Sequence, residues 1–376
     1  MLYLDHAATS PVRPEVLEAM RPYLTGVFGN PSSHHTVGEA AASALEDARA
    51  RIARIVGMRS GDVIFTSGGT EANNLAVKGV VLGSDRRHLV VSPIEHESIL
   101  ESAAYLKRFH DVAVSTAAVD AAGRLGAEAL AAAIREDTAL VTLGHANNEI
   151  GTIQDVATLA DVVQSAGAVL HVDAVQSAGW LPLKALAADA ISIAGHKLGA
   201  PKGIGALIVR GRIPVEPLIH GGGQERGRRS GTENVAGAVA LATALELADE
   251  EREAVATAVG ERTRAFIADV LVNVPQATLT GDAENRLPGT ASFTFEGVSG
   301  ESVLLELERR GVVSSSGSAC AAGSDEPSHV LIACGIPPGV AQTSVRFTFG
   351  RTPLPADAPA RLAALVAESV RAVAGP

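Results

Sequence analysis

Cysteine and aromatic residues are both scarce in this sequence. Only 2 of its 376 residues are cysteine, Cys320 and Cys334, which is too few for a disulfide framework and lacks the spacing of a metal motif. Aromatic residues make up 3%, so the core is expected to be aliphatic and rich in alanine. These shortages favour a reducing compartment, and we expect a cytoplasmic protein without a metal site.

The sequence also has no excess of basic charge and no long apolar run. Its formal net charge is −11, whereas a nucleic-acid-binding surface is normally basic. No apolar run reaches the length of a membrane span, and residues 1–30 lack a basic region followed by an apolar segment. We therefore expect no secretory leader, no membrane partner and no direct binding to nucleic acid.

Short apolar runs and helical patterns alternate along the first half of the chain. The runs predict strands at 62–66, 88–92, 112–114, 139–143 and 168–172, and the helical patterns lie at 38–56, 70–77, 98–109, 127–134 and 156–165. Repeated β–α units predict an α/β fold with a mainly parallel sheet and helices on its faces. In such sheets, ligands bind beyond the carboxyl ends of the strands.

Lys197 lies in a glycine-rich turn directly after the apolar run 190–194. A lysine amine is a nucleophile only when it is neutral, and burial beside apolar neighbours such as Ile191 and Ile193 lowers its pKa. Taken alone, a solvated lysine after an edge strand is the commoner case. The hypothesis of a nucleophilic lysine therefore depends on other parts of the chain.

Two further stretches support this hypothesis. The segment 67–70, Ser-Gly-Gly-Thr, lies between a predicted strand and a helix, where backbone N–H groups bind phosphate. Asp173 follows a buried strand, where its carboxylate needs a cationic partner or hydrogen bonds. Each feature alone fits an ordinary turn or helix cap. Together with Lys197 they supply the lysine, the acid and the phosphate cup that a pyridoxal phosphate enzyme requires.

A series of short motifs runs through nearly the whole chain. They are YLDHAAT (3–9), TSGGTEANN (66–74), NNEIG (147–151), DAVQ (173–176), GHK (195–197), GGGQERG (221–227), RSGT (229–232), SSGSAC (315–320) and RFTFGR (346–351). In this order they resemble the motifs of the cysteine desulfurases, which are fold-type I pyridoxal phosphate enzymes related to the class V aminotransferases.

The resemblance implies a fold-type I pyridoxal phosphate-dependent transferase that forms a homodimer. Such a protein has a large cofactor-binding domain with a mainly parallel, seven-stranded-type sheet and a smaller α/β domain. We place the large domain at 15–250, and the small domain at 1–14 together with 251–376. The small domain then carries both Cys320 and Arg346.

The resemblance also assigns residues to the cofactor ring. Lys197 resembles the catalytic lysine that forms a Schiff base with pyridoxal phosphate, and His96 the histidine that stacks on the ring and relays protons. Asp173 pairs with the ring nitrogen and Gln176 with the phenolic oxygen. Asn148 lies near both the ring and the carboxylate of the substrate.

Four residues are expected to hold the cofactor phosphate. Gly69, Thr70 and His196 do so within one subunit, and Thr232 reaches the phosphate in the other subunit of the homodimer. The chain departs from the family at Ala194, where a serine commonly donates to the phosphate. We expect weaker cofactor retention, or compensation by water or by Ser67.

The remaining roles concern the substrate. Cys320 lies among small residues in 314–324 with nothing to bury it, which favours a reactive thiol, whereas Cys334 lies in an apolar helical segment and is interpreted as structural. By resemblance, Arg346 binds the carboxylate of L-cysteine through its bidentate fork. Cys320 attacks the substrate sulfur, giving L-alanine and a persulfide on Cys320.

Several alternatives remain open at this stage. The sulfur acceptor is expected to be a partner protein in iron–sulfur cluster assembly or in transfer-RNA thiolation, and the sequence does not decide between them. A selenocysteine lyase or another β-eliminating pyridoxal phosphate lyase would not need Cys320 as a sulfur acceptor. A non-catalytic scaffold subunit is the alternative of another class, and the joint presence of Lys197, Asp173 and Cys320 speaks against it.

Overall fold

The strands of the protein were located in a computed structural model, which describes residues 1–317 and 326–374. Within these ranges they are β1 (Leu2–Tyr3), β2 (Val63–Thr66), β3 (His88–Val91), β4 (Ala113–Thr116), β5 (Thr138–Gly144), β6 (Val169–Asp173), β7 (Ala190–Ala194), β8 (Gly205–Val209), β9 (Ala277–Leu279), β10 (Thr290–Phe295), β11 (Val312–Val313) and β12 (Val345–Thr348). Every strand predicted from the apolar runs is present, with ends shifted by one or two residues.

The helices alternate with the strands in the first half of the chain. They are α1 (Pro14–Met20), α2 (Pro22–Thr25), α3 (Thr36–Val56), α4 (Gly69–Asn74), α5 (Val80–Leu82), α6 (Glu97–Phe109), α7 (Ala127–Ala133), α8 (Val156–Ser165), α9 (Val235–Glu250), α10 (Arg252–Asn273), α11 (Gly300–Arg309), α12 (His329–Ala333), α13 (Pro338–Ala341) and α14 (Ala358–Ala374). A π-helical segment, Leu75–Gly79, joins α4 to α5. Among the described helices, none combines the length and apolarity needed to cross a membrane.

A seven-stranded sheet with the order β2-β8-β7-β6-β5-β3-β4 forms the centre of the protein. Neighbouring strands from β7 to β4 are parallel, whereas β8 is antiparallel to both β7 and β2. The prediction of a mainly parallel sheet is therefore confirmed. Strand β8 was not predicted, because its continuous apolar run, GALIV, fits a buried helix segment as well as a strand.

Buried apolar layers cover both faces of this sheet. Successive side chains of a strand point to opposite faces. Accordingly, Ala206 and Ile208 of β8 belong to the layer that includes α3 and α9, and Leu207 and Val209 belong to the layer that includes α6. Burial on both faces explains why these strands consist of almost uninterrupted apolar runs.

A separate apolar cluster surrounds the three-stranded antiparallel sheet β12-β10-β9. At its centre, the ring of Phe266 contacts those of Phe293, Phe347 and Phe349 edge to face, with centroids 6.1, 5.2 and 5.5 Å away. Leu4 joins the same cluster, and β1 pairs with β11. We propose that this cluster is the core of the small domain formed by 1–14 and 251–376, and that 15–250 forms the large domain.

Candidate active site

The carboxyl ends of the parallel strands open into a cavity of about 640 Å³, a size typical of cofactor sites. Nine residues singled out from the sequence line it, namely Gly69, Thr70, His96, Asn148, Asp173, Gln176, His196, Lys197 and Arg346. Thr232 is exposed and does not line this cavity. Cys320 lies outside the residues that the structure describes.

Lys197 ends the short 3₁₀ turn Gly195–Lys197 that follows β7. A side chain at Gly195 would lie 2.8 Å from the Ile204 side chain, so glycine is required for this tight turn. The Lys197 amine donates to the carbonyl oxygen of Ala8 at 2.7 Å and to that of Ala7. The N-terminal segment therefore orients the amine within the cavity.

The carboxylate of Asp173 is fixed at the end of β6 by two hydrogen bonds. Asn73 donates from Nδ2 to Oδ2 at 2.7 Å, and the backbone N–H of Val175 donates to Oδ1 at 2.9 Å. Gln176, on the same turn, donates to the carbonyl oxygen of Ala7 at 3.1 Å. Asn73 was not singled out from the sequence, although it lies in one of the motifs.

His96 caps the start of α6, beside Asp173. Its Nδ1 accepts from the backbone N–H of Ser98 at 3.1 Å and lies 2.8 Å from the Ser98 hydroxyl oxygen. Ser98 also accepts a hydrogen bond at 3.0 Å from Nδ2 of Asn73. The two site residues, Asp173 and His96, thus share neighbours that the sequence analysis missed.

The end of the cavity at the start of α4 has the features of a phosphate cup. A side chain at Gly69 would lie 2.8 Å from Val175 and 3.2 Å from Cβ of Ala194, so only glycine fits between α4 and the strand ends. Ser67 and Thr70, on either side of Gly69 in the chain, and Lys202 also line the cavity. Lys202 is a cation that the sequence analysis missed, five residues after Lys197.

His196 lies in this cup as a neutral imidazole. Burial, followed by the charges of Lys197 and Lys202, lowers the pKa of His196 to about 4. Its Nδ1 lies 3.2 Å from the hydroxyl of Thr9. At neutral pH the ring can therefore act toward a phosphate as a hydrogen-bond donor without carrying a charge.

An ion pair neutralises the acidic residue in the cup. Glu71 accepts from the backbone N–H of Ser67 at 2.7 Å and from Nε of Arg229 at 2.9 Å. Burial by itself raises the pKa of Glu71, but the hydrogen bonds from Arg229 and Ser67 outweigh it and lower the pKa. Arg229 begins the motif that contains Thr232, so the pair connects this segment to the cup.

Arg346 is almost completely buried, with 1% of its surface exposed. It donates to the Asp5 carboxylate at 2.7 Å and to the carbonyl oxygen of Asn148 at 2.8 Å. Its Nε has no hydrogen-bond partner among the described residues. Asp5 therefore binds part of the Arg346 guanidinium group, which the sequence analysis assigned to a substrate carboxylate. The contact between Asp5 and Arg346 was not predicted.

Two buried glutamates lie near the site, Glu95 in the lining of the cavity and Glu149 beside described residues on either side of 318–325. Burial is the main reason why the pKa of Glu95 is raised to about 8. Burial also raises the pKa of Glu149, which accepts from the hydroxyl of Ser328 at 2.5 Å. A side chain at Gly317 would lie 3.0 Å from the same carboxyl oxygen. Glu149 thus contacts the described residues on both sides of 318–325.

Cys334 is the cysteine that the structure describes. It follows α12 in a small apolar cluster, and burial raises the pKa of its thiol to about 11. A thiol with a raised pKa is a poor nucleophile at neutral pH. The expected burial of Cys334 is confirmed, although it caps α12 and does not lie within the helix.

The arrangement of these groups fits pyridoxal phosphate. The cavity offers a lysine amine, an oriented carboxylate, an imidazole, hydroxyl groups and a second lysine, and Gly69 leaves space at the start of α4. These are the groups that bind the aldehyde, the ring nitrogen, the ring face and the phosphate of this cofactor. The fit rests on the donor set and on the space left by Gly69.

Comparison with known proteins places the chain in a family. Residues 2–356 match the family Aminotransferase class-V. The cysteine desulfurase IscS of Dictyoglomus turgidum is 44% identical over 353 residues, covering 93% of this chain and 89% of the relative. The IscS-like cysteine desulfurase of Mycobacterium tuberculosis is 42% identical over 382 residues, covering 99% and 97%.

Solved structures agree with this placement. A NifS-like protein is 34% identical, covers 98% of both chains and superposes with a TM-score of 0.90. The α/β architecture expected from the motifs, that of the fold-type I pyridoxal phosphate enzymes, is therefore confirmed. The chain belongs to the class-V aminotransferase family, in which its relatives include the cysteine desulfurases IscS.

Proposed function

We propose that the protein is a pyridoxal phosphate-dependent cysteine desulfurase, which converts L-cysteine into L-alanine and a persulfide on Cys320. The observation that carries this proposal is the convergence of Lys197, Asp173, His96 and Arg346 on one cavity. The high identity to proteins named cysteine desulfurase over nearly the whole chain supports it.

The residues around the cofactor ring would have separate roles in binding and transferring protons. When bound, pyridoxal phosphate supplies a ring that stabilises negative charge at the substrate α-carbon. Lys197 would hold the cofactor, and its amine would take the α-proton of the substrate. Asp173, oriented by Asn73, would keep a proton on the ring nitrogen. His96 would cover the ring face, and Gln176 would donate to the phenolic oxygen.

Polar groups at the two ends of the cavity orient the cofactor and the substrate. Gly69, Thr70 and His196 would bind the phosphate, joined by Thr232 from the other subunit. Arg346 would bind the substrate carboxylate, with Asn148 beside it. These contacts would bring the substrate α-carbon near the Lys197 amine.

Cys320 would complete the reaction as a nucleophile. Its thiolate attacks the substrate sulfur, the bond between that sulfur and Cβ breaks, and the electron pair stays with the carbon. Protonation of that carbon, together with return of a proton from the Lys197 amine to the α-carbon, would give alanine. The new sulfur–sulfur bond leaves a persulfide on Cys320, from which a partner protein or a reductant takes the sulfur.

Replacing Cys320 tests this function most directly. Purified protein with L-cysteine and a reductant is expected to form alanine and sulfide, and Cys320→Ser is expected to do so at least tenfold more slowly, because a serine hydroxyl is a far weaker nucleophile toward sulfur. Cys334→Ala is the control, since that thiol is buried. Equal rates for Cys320→Ser and wild type would favour a selenocysteine lyase or another β-eliminating lyase.

We further propose that the protein works as a cytoplasmic homodimer that passes sulfur to an iron–sulfur cluster scaffold or to a transfer-RNA thiolation protein. Large apolar side chains near the N-terminus support a subunit interface, since Leu24 is 58% and Phe28 73% exposed. The exposure of Thr232 is consistent with a role across that interface. Light scattering of the purified protein measures the oligomeric state.

Ala194 offers a gain-of-binding test of the phosphate cup. Ala194→Ser is expected to lower the dissociation constant of pyridoxal phosphate by about tenfold, because a hydrogen bond to a charged group contributes about 1.5 kcal/mol. Absorbance titration of the cofactor-free protein measures the constant. An unchanged constant for Ala194→Ser, together with a loss of binding in Ser67→Ala, would show that Ser67 already supplies this contact.

A further inference from the structure

A continuous line of hydrogen bonds connects Asp173 to His96 through two residues that have no assigned role. The Asn73 amide donates to Oδ2 of Asp173 at 2.7 Å and to the hydroxyl oxygen of Ser98 at 3.0 Å. The Ser98 hydroxyl oxygen lies 2.8 Å from Nδ1 of His96. We infer that Asn73 and Ser98 are positioning residues that hold His96 in its Nε2–H form and couple its orientation to the Asp173 carboxylate.

The direction of each hydrogen bond follows from the chemistry of its partners. Asp173 accepts through its carboxylate, so the group of Asn73 that faces it must be the NH₂ and not the carbonyl oxygen. The same NH₂ faces Ser98, whose oxygen therefore accepts. The hydrogen of the Ser98 hydroxyl is then free to point at Nδ1 of His96.

The tautomer of His96 follows from the same argument. The backbone N–H of Ser98, which can only donate, points at Nδ1 of His96 at 3.1 Å. Nδ1 therefore carries a lone pair, and the neutral ring carries its proton on Nε2. The Ser98 hydroxyl adds a second donor to Nδ1 and strengthens this preference.

Burial makes these contacts effective. Asn73 is 2% and Ser98 7% exposed, so water competes little for their hydrogen bonds. The two residues also come from different elements, α4 and α6, which follow β2 and β3, two strands that are not neighbours in the sheet. The line of hydrogen bonds therefore fixes His96 relative to Asp173 across two separately packed helices.

The inference rests on the proposed function, in which Asp173 and His96 act on the cofactor ring. Its test is a measurement on the cofactor-free protein that does not depend on activity. Nitrogen-15 NMR of protein labelled at histidine reports which ring nitrogen of His96 carries the proton. His96→Gln identifies the signal.

Asn73→Ala is the decisive variant, because Asn73 does not hydrogen-bond to His96. Without the amide, the Ser98 hydroxyl is free to turn away from Nδ1. We expect the ratio of the two neutral tautomers of His96 to shift about fivefold toward Nδ1–H, which corresponds to one hydrogen bond of about 1 kcal/mol. Ser98→Ala is expected to give the same shift, and Ser98→Thr, which keeps the hydroxyl, is expected to restore the wild-type ratio.

Ser102→Ala is the matched control. Ser102 lies one turn further along α6, is equally buried and donates only to the backbone carbonyl of Ser98. It is expected to leave the His96 tautomer unchanged. A wild-type ratio in both Asn73→Ala and Ser98→Ala would overturn the inference, even if either variant lost activity. Shifted ratios in both variants, together with a wild-type protein that does not turn over L-cysteine, would support the positioning role and contradict the proposed function.

Discussion

Replacing Lys197 by alanine is expected to lower the rate of L-cysteine turnover by about 10⁴-fold, the upper end of the contribution of a positioned general base. The variant loses both the amine that holds the cofactor and the base that takes the α-proton. Hydrogen bonds to the carbonyl groups of Ala7 and Ala8 orient that amine. Alanine and sulfide formation measure the rate.

Lys184→Ala is the control for this prediction, because Lys184 is exposed and does not line the cavity. A second measurement identifies the lysine that holds the cofactor. Borohydride reduction of the cofactor-loaded wild type is expected to attach the cofactor covalently to the peptide containing Lys197, and the Lys197→Ala protein is expected to gain no such mass. Turnover by Lys197→Ala above a tenth of the wild-type rate would contradict the assignment.

The sequence was most informative for residues that directly follow a buried strand, because the strand itself determines where they lie. Strands of a mainly parallel sheet are buried on both faces, so β3, β5 and β6 stood out as apolar runs. The polar residues that follow such strands must lie at the same edge of the sheet. Lys197 and Asp173 were therefore predicted to share a cavity, and they do.

The sequence was least informative where a residue's role depends on distant partners. Asn73 bonds to residues 25 and 100 positions away, and Asp5 to a residue 341 positions away. No local pattern distinguishes such side chains from solvated ones. The antiparallel direction of β8 also depends on which strands it pairs with, and its residues alone do not encode that.

The buried ion pair between Arg49 and Glu225 belongs to the same class of long-range contacts, 176 residues apart. Both bonds of this bidentate pair measure 2.6 Å, and the two residues are 3% and 4% exposed. Glu225 also accepts from the backbone N–H of Phe65 at 3.1 Å. The pair thus attaches the glycine-rich motif 221–227 to strand β2.

Removing one partner of this pair is expected to be strongly destabilising. Glu225→Gln removes the buried counterion of Arg49 and leaves only the half-exposed Glu46, 2.9 Å from Nε of Arg49. Breaking a buried pair typically costs about 3–5 kcal/mol in the free energy of unfolding, and with Glu46 still present we expect a loss of about 3 kcal/mol. Glutamine keeps the length of the side chain and its Cβ, which matters because Glu225 has a left-handed backbone with φ of 49°. Urea unfolding followed by circular dichroism measures the change.

Two further variants show whether the loss comes from the buried charge of Arg49. Arg226→Ala removes an exposed pair between the same motif and Glu46 of α3, at 3.3 Å, and leaves the pair of Glu46 with Arg49 in place. It is expected to change the stability by less than about 1 kcal/mol. The double variant Arg49→Met with Glu225→Gln removes the buried charge and is expected to recover part of the loss. A double variant no more stable than Glu225→Gln alone would contradict the charge argument.

Glu225→Gln is also expected to weaken cofactor binding, although Glu225 does not line the cavity. Arg229, four residues after Glu225, pairs with Glu71 in the phosphate cup, and Thr232 lies in the same segment. When Glu225 no longer anchors this segment, the Glu71 carboxylate loses its neutralising partner for part of the time and repels the cofactor phosphate. Glu225→Gln should therefore raise the dissociation constant of pyridoxal phosphate when it is measured without urea, where the protein is still folded. An unchanged constant in the folded variant would show that the motif 221–227 stabilises the fold without positioning the cup.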